Sequence, residues 1–194
     1  MKSKSIALTF VSAVLVSLLL VSCRQQPPLP QLYPVPDLSL VSRHGKSLNL
    51  RDLRGSVVVY DFIFTRCGGP CPIMTNAMKR LASKVGSADV RFVSITVDPD
   101  YDTPKVLTRY ARIMHADDPR WLFLTGDREA IHLASSKDFK LGAVQGGGAG
   151  QPIVHSTRFV LADRQGEIRG YYDSMSDDSE AKLIRDIASL VAGK

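Results

Sequence analysis

The chain has 194 residues, 44% of them hydrophobic and 23% charged, with a formal net charge of +6. That length and apolar content suit one ordinary domain with a core of its own, and they exclude a disordered chain or a small disulfide-stapled scaffold. The basic excess is mild and is scattered among acidic residues without Lys/Arg runs or aromatic interleaving, which leaves no support for a nucleic-acid partner.

Met1 to Phe10 carries Lys2 and Lys4 and leads into the apolar run Val11 to Leu20, the charged-then-apolar order of a secretory signal. The junction Leu20-Val21-Ser22-Cys23 resembles a bacterial lipobox. It implies cleavage before Cys23, lipid on its sulfur and an acylated new N-terminus, and two or more chains make a stable membrane anchor. The alternative is an uncleaved transmembrane anchor, which Ile6 to Val21 only just supplies at about 1.5 Å per residue against a hydrocarbon core of about 30 Å. The lipoprotein reading is preferred, and it places the domain on the extracytoplasmic, periplasmic side, attached to the membrane. Residues 1–23 are thus expected to be a signal ending at Cys23. Residues 24–36 read RQQPPLPQLYPVP, whose prolines block helix and favour extended polyproline II, so they are expected to be a spacer reaching up to roughly 40 Å. The domain is expected over 37–194.

Asp37 to Leu50 reads as a short hairpin turning at His44-Gly45. Val57 to Phe64, rich in β-branched and aromatic residues, reads as a buried strand. Pro72 to Val85 follows as a helix with Met74, Ala77, Met78, Leu81 and Val85 on one face and Gly86 as its stop. Val90 to Val97 is a second strand. Asp98 to Pro104 is a loop in which Asp102 or Thr103 caps a helix opening at Pro104 and running to about Met114. Trp121 to Leu124 is a strand, Arg128 to Ser136 a helix, and Gln145 to Gly150 a flexible loop. Ile153 to Leu161 and Glu167 to Tyr172 flank the turn Asp163 to Gly166 as a hairpin, and Ser179 to Val191 closes the chain as an amphipathic helix. This order predicts an α/β, thioredoxin-like sandwich: a mixed central β-sheet flanked by helices, with an N-terminal β-hairpin.

Cys67 and Cys71 stand at a C-x-x-x-C spacing where the first central strand turns into a helix. With Pro72 at the first helical position, Cys71 is expected at or beside the N-cap. Unpaired N–H groups and the helix dipole favour a thiolate there, the form that binds soft metals or attacks disulfides. Around this pair the chain is similar to the SCO/SenC family of copper-binding assembly factors for cytochrome c oxidase. The resemblance is carried by Asp61 to Met74 with Cys67-x-x-x-Cys71-Pro72, by Val97-Asp98-Pro99 followed by Asp102-Thr103-Pro104, by Trp121 to Gly126, and by Val154-His155-Ser156-Thr157 before Phe159 to Asp163. It spans nearly the whole domain in order. It implies a thioredoxin-like fold and copper, as Cu(I) or Cu(II), held by Cys67, Cys71 and His155. It further implies a partner in the copper-bearing subunit of cytochrome c oxidase, with a copper donor protein and a thiol reductant upstream. Many members carry an acidic residue between the cysteines, where this chain has Gly68-Gly69-Pro70.

The residue chemistry agrees with a copper carrier. Thiolates select Cu(I), imidazole accepts either oxidation state, and a three-coordinate site leaves room for a partner's incoming ligand. Four-coordinate structural zinc would need another Cys or His, and none lies nearby in sequence. Met74 reads as core packing rather than a thioether ligand. His44 belongs to a turn, His115 and His132 to helices, and Asp98 and Asp102 to loop and cap. The alternative function is a membrane-tethered thiol-disulfide reductase that uses a Cys67–Cys71 disulfide. Against it stand the three-residue spacing and His155-Ser156 where a thioredoxin has its cis-proline. A thiol peroxidase, with Arg66 activating Cys67, ranks last. Whether the chain is an enzyme stays open, with a non-enzymatic copper chaperone favoured.

Overall fold

The structure, a computed structural model, describes residues 27–142 and 156–193. Cys23 and the signal, the Gly-rich loop 145–150 and His155 lie outside the described residues.

Along the chain come β1 (Tyr33–Pro34), β2 (Ser39–Ser42), β3 (Ser47–Asn49), a 3-10 turn (Leu50–Leu53), β4 (Val57–Ile63), α1 (Pro70–Lys84), β5 (Val90–Thr96), α2 (Pro104–Ile113), β6 (Trp121–Thr125), α3 (Arg128–Leu133), β7 (Arg158–Ala162), β8 (Glu167–Asp173) and α4 (Asp177–Val191). The eight strands form one sheet in the order β1-β8-β7-β4-β5-β6-β2-β3. β4, β5 and β6 run parallel because α1 and α2 carry the chain back between them, while the hairpins β2–β3 and β7–β8 pair antiparallel. The mixed sheet expected from the element order is therefore present, and so is the hairpin turn, where Gly45 takes a positive φ of 77°.

All seven residues of β4 are buried, since helices cover both faces of the sheet at its centre. The two-residue pleat sends Val57, Val59 and Ile63 to a core made with Ala77, Met78 and Leu81 of α1, Leu107 and Tyr110 of α2, and Leu183 and Ile187 of α4. It sends Val58, Tyr60 and Phe62 to the opposite core, where Phe139 meets Tyr60 and Phe62 edge-on at ring separations of 5.2 and 5.1 Å. Each such side chain contributes about 1.5–3 kcal/mol when fully buried.

Some boundaries differ from expectation, and one open choice is resolved. Helix α1 opens at Pro70, with Gly69 as its N-cap, so Cys71 is its second residue rather than its cap. Prolines 70 and 72 both fit in the first turn because N–H groups there have no intrahelical acceptor. Thr103 alone caps α2, accepting from the Val106 N–H, while the Asp102 side chain is turned inward. Helix α3 stops at Leu133 and continues as a wider π-type turn, Ala134–Asp138, which seats Phe139 in the core.

The second half of the segment 24–36 makes hydrogen bonds to the sheet. Leu32 N–H donates to Ile168 O at 2.9 Å, Tyr33 and Pro34 pair with β8, and Val35 N–H donates to Gly166 O at 2.8 Å. Arg169, ion-paired with Asp163, also donates to the carbonyls of Leu29 and Pro30. Proline-rich sequence suits this place, because an edge strand has one side with no donor requirement. A domain beginning at Asp37 loses these bonds and the burial of Val35, and is expected to be about 2–4 kcal/mol less stable than one beginning at Arg24. Urea melts of the two forms check this; coincident midpoints would show that the docked segment stabilises nothing.

Candidate metal centre

Strand β4 ends at Ile63, and the chain turns at once, with Cys67 N–H donating to Phe64 O at 3.2 Å. Gly68 and Gly69 then bring it into α1. The result places Cys67 and Cys71 in the core cluster under α1 that also holds Ile63, Tyr110 and Phe159. Cys67 is 9% exposed and Cys71 2%; neither is in a disulfide, and their side chains hydrogen-bond to each other.

Two carboxylates hold the loop that carries Cys67. Asp102, fully buried, accepts from the Thr65 N–H at 3.0 Å and from the hydroxyls of Thr65 and Thr96. Asp98 pairs with Arg66 at 2.6 Å, and the Arg66 guanidinium lies 4.2 Å from the Tyr101 ring centre. That arginine is thus taken up by a carboxylate and an aromatic face, which removes the support for a thiol peroxidase. Behind Cys71, the Thr75 hydroxyl donates to the Cys71 carbonyl at 2.9 Å and meets the Tyr110 hydroxyl at 2.8 Å, tying α1 to α2.

Electrostatics reverse one expectation. Burial pushes the Cys71 thiol well above its ordinary range, a backbone hydrogen bond at Phe64 works the other way, and the neighbouring Cys67 raises it further. A resting thiolate favoured by the helix N-terminus gives way to a thiol, because desolvation outweighs the dipole once the sulfur is inside.

The expected third ligand, His155, lies outside the described residues. Among the described residues no group of three His, Cys, Asp or Glu side chains is placed to hold a metal. His44 accepts from Arg43 in the hairpin turn, His115 lies in the turn just after α2 rather than in the helix, with a positive φ of 52°, and His132 bonds the Val97 carbonyl at 2.9 Å. Met74 is fully buried in the core. The donors present, two sulfurs in one apolar pocket, fit a soft monovalent metal and fit oxygen-seeking cations poorly.

Asp61 went unremarked in the sequence. It is fully buried in the middle of β4, neither of its oxygens has a hydrogen-bond partner of ordinary geometry, and burial raises its pKa to about 7, with the neighbouring Ser94 hydroxyl working the other way. The signal was available: a carboxylate inside the apolar run Val57 to Phe64 must either find a partner or stay neutral.

Comparison with known proteins gives a consistent result. The SCO1/SenC family model matches residues 31–192. The chain is 33% identical to the SCO1 protein homolog of Bacillus subtilis (strain 168) over 183 residues, 92% of this chain and 94% of that protein. Among solved structures, a SCO1/SenC family lipoprotein from Bacillus anthracis str. Ames superposes with a TM-score of 0.74 at 34% identity, covering 82% of this chain and 95% of that one. BsSco, described with a disulfide switch and as a member of the Sco family of cytochrome c oxidase assembly proteins, gives 0.73 at 33% identity, covering 88% and 100%. The fold is shared at 22% identity with the copper-bound ScoI of Bradyrhizobium japonicum, TM-score 0.64, covering 79% and 99%.

Proposed function

The chain belongs to the SCO1/SenC family, and from that membership we propose that it is a membrane-tethered copper metallochaperone that delivers copper to, or prepares, the copper site of cytochrome c oxidase. The observation that carries this reading is the Cys67–Cys71 pair, two hydrogen-bonded thiols in one apolar pocket at the strand-to-helix turn. Copper is cargo here. His155 completes the ligand set, and a three-coordinate metal keeps a position for the partner's ligand. The anchor is the lipidated Cys23, a reading that the lipoprotein description of the B. anthracis relative supports. Among the described residues no helix is long and apolar enough to cross a membrane.

The residues around the pair have separable tasks. Asp102 and Asp98 hold the Cys67 loop in one shape, so that the sulfurs meet a metal without a large ordering cost. Burial keeps Cys71 protonated until metal displaces the proton, which couples loading to proton release. A second reading, thiol-disulfide reductase, is favoured by the disulfide switch described for BsSco and by the unequal exposure of the two sulfurs.

Both readings meet in one experiment. The reduced chain is expected to take up one Cu(I), and the chain oxidised to a Cys67–Cys71 disulfide none, because ligation needs reduced sulfur. Anaerobic uptake before and after mild oxidation measures it. Equal uptake by a verified disulfide form would remove the pair from the site, and a copper-blind reduced chain that rapidly reduces protein disulfides would favour the reductase.

A further inference from the structure

The segment that precedes the domain is fastened to the edge of the sheet. Leu32 and Val35 donate their N–H groups to β8, Tyr33 and Pro34 pair with Ile168 and Glu167, and the Arg169 guanidinium takes the carbonyls of Leu29 and Pro30. Arg169 is itself fixed by Asp163 at 2.6 Å, and Leu29 packs against the core shared by α1, α2 and α4. This fastening sets the length of chain left over. Cys23 and Leu29 are six positions apart, and six residues span at most about 20 Å even when fully extended. A domain of this size has a radius of about 20 Å, so the tether is no longer than the domain is deep. An undocked segment from 24 to 36 would allow roughly 40 Å.

The same edge carries a surface suited to lipid. Leu32 and Tyr33 are consecutive large apolar side chains left 38% and 44% exposed. The Lys140 ammonium lies 5.1 Å from the Tyr33 ring centre, and Arg158 is exposed at the start of β7. A tyrosine with an apolar neighbour and a long cationic side chain beside it settles at the headgroup level of a bilayer, with the rings inward and the charge outward. Glu167 and Asp173 on β8 stand against the two cations, so the contact draws on apolar burial and not on attraction to anionic lipid.

We infer that the β1–β8 edge is the face the domain lays on the membrane, with Leu32 and Tyr33 seated among the headgroups of the lipid surface that anchors it. The inference rests on reading Cys23 as the lipidated anchor. Two exposed side chains make too small a contact to hold a free domain on a bilayer, and a tether this short supplies the effective concentration that makes the contact persist. Held in this way, the sheet stands on its edge. In the order β1-β8-β7-β4, three strand spacings, about 15 Å, separate that edge from the strand leading to Cys67. Such a height fits a membrane protein whose metal ligands stand just clear of the bilayer.

The processed chain, carrying its lipid, is placed in phosphatidylcholine vesicles made with or without lipid brominated near the headgroup end of its acyl chains, as Tyr33→Trp and as Ile113→Trp. Ile113, exposed at the end of α2, is the control, and the buried Trp121 gives a constant background. Tyr33→Trp emission is expected to shift to the blue on vesicles and to lose intensity in brominated lipid, and Ile113→Trp to do neither. Adding anionic lipid is expected to change nothing; a shift that appears only with anionic lipid overturns the apolar contact. A long Gly/Ser insertion after Gln26 is expected to reverse both changes in Tyr33→Trp, because effective concentration falls as the tether lengthens. Unchanged quenching in that chain overturns the part given to the tether. If mass spectrometry finds lipid on Cys23 and Tyr33→Trp is quenched no more than Ile113→Trp, the inference is overturned while the anchor stands. If Cys23 carries no lipid, the anchor reading fails and the inference with it. Should Tyr33→Trp not fold, Leu32→Trp takes its place with the same expected outcomes.

Discussion

Cys71→Ala is expected to lower the affinity for Cu(I) by at least about a thousandfold, about 4 kcal/mol, and Cys67→Ala to do the same. The two sulfurs share one apolar pocket, and no further Cys, His, Asp or Glu among the described residues stands ready to replace either. With one thiolate removed, a soft monovalent ion keeps a single strong donor and an apolar wall. His155→Ala should cost Cu(I) much less, because two thiolates still suit it, and should cost Cu(II) more, because imidazole is the donor that Cu(II) prefers. Competition with a chromophoric Cu(I) chelator and the charge-transfer absorption of the Cu(II) form measure the two states. An unchanged Cu(I) affinity in Cys67→Ala would end the assignment of this pair. The substitutions remove one buried sulfur each, so melting curves recorded beside the titrations separate loss of ligand from loss of fold.

Asp102→Ala should destabilise the domain by about 3 kcal/mol, lowering its melting temperature by roughly 6–12 °C. Its carboxylate is fully buried and receives the Thr65 N–H and the hydroxyls of Thr65 and Thr96. Alanine leaves those donors in a space closed to water, and unpaired buried donors cost more than the bonds they replace gained. Because Thr65 stands two residues before Cys67, the loss should also loosen the turn. Alkylation of Cys67 in native protein should then speed up, while Thr103→Ala, which removes only the exposed cap of α2, should cost about 1 kcal/mol and leave alkylation unchanged. Equal stability of Asp102→Ala and the parent would show that the loop is held by something else.

How much of this was legible beforehand depended on the range over which each cause acts. Period and turn chemistry are local, so Val57–Ile63, Val90–Thr96 and the hairpin turn at Gly45 could be read directly, and alternating strand and helix dictated the parallel centre of the sheet. The Cys67–Cys71 spacing is local in the same way, and a soft-metal or thiol chemistry follows from it. The docking of residues 29–35 could not be read in advance because their partners, Gly166, Ile168 and Arg169, are more than a hundred positions away; five prolines describe an extended chain equally well whether it is free or docked.

The charge state of the site needed the fold for a related reason. A helix N-terminus acts on Cys71 through neighbours in sequence, and by itself it favours the thiolate. Desolvation acts through whatever closes over the sulfur, here the core cluster that Cys71 shares with residues of the sheet and of the other helices, and it is the stronger influence. Asp61 is the same case: the run Val57 to Phe64 shows that it is buried, but only the packed sheet shows that its oxygens are left without donors and that its charge acts on Cys71. By itself the sequence determined the elements, their order and the donor atoms, all consequences of short-range sterics and residue chemistry. The protonation of those donors and the company they keep were decided by tertiary structure, because burial and pairing are properties of residues brought together from distant parts of the chain.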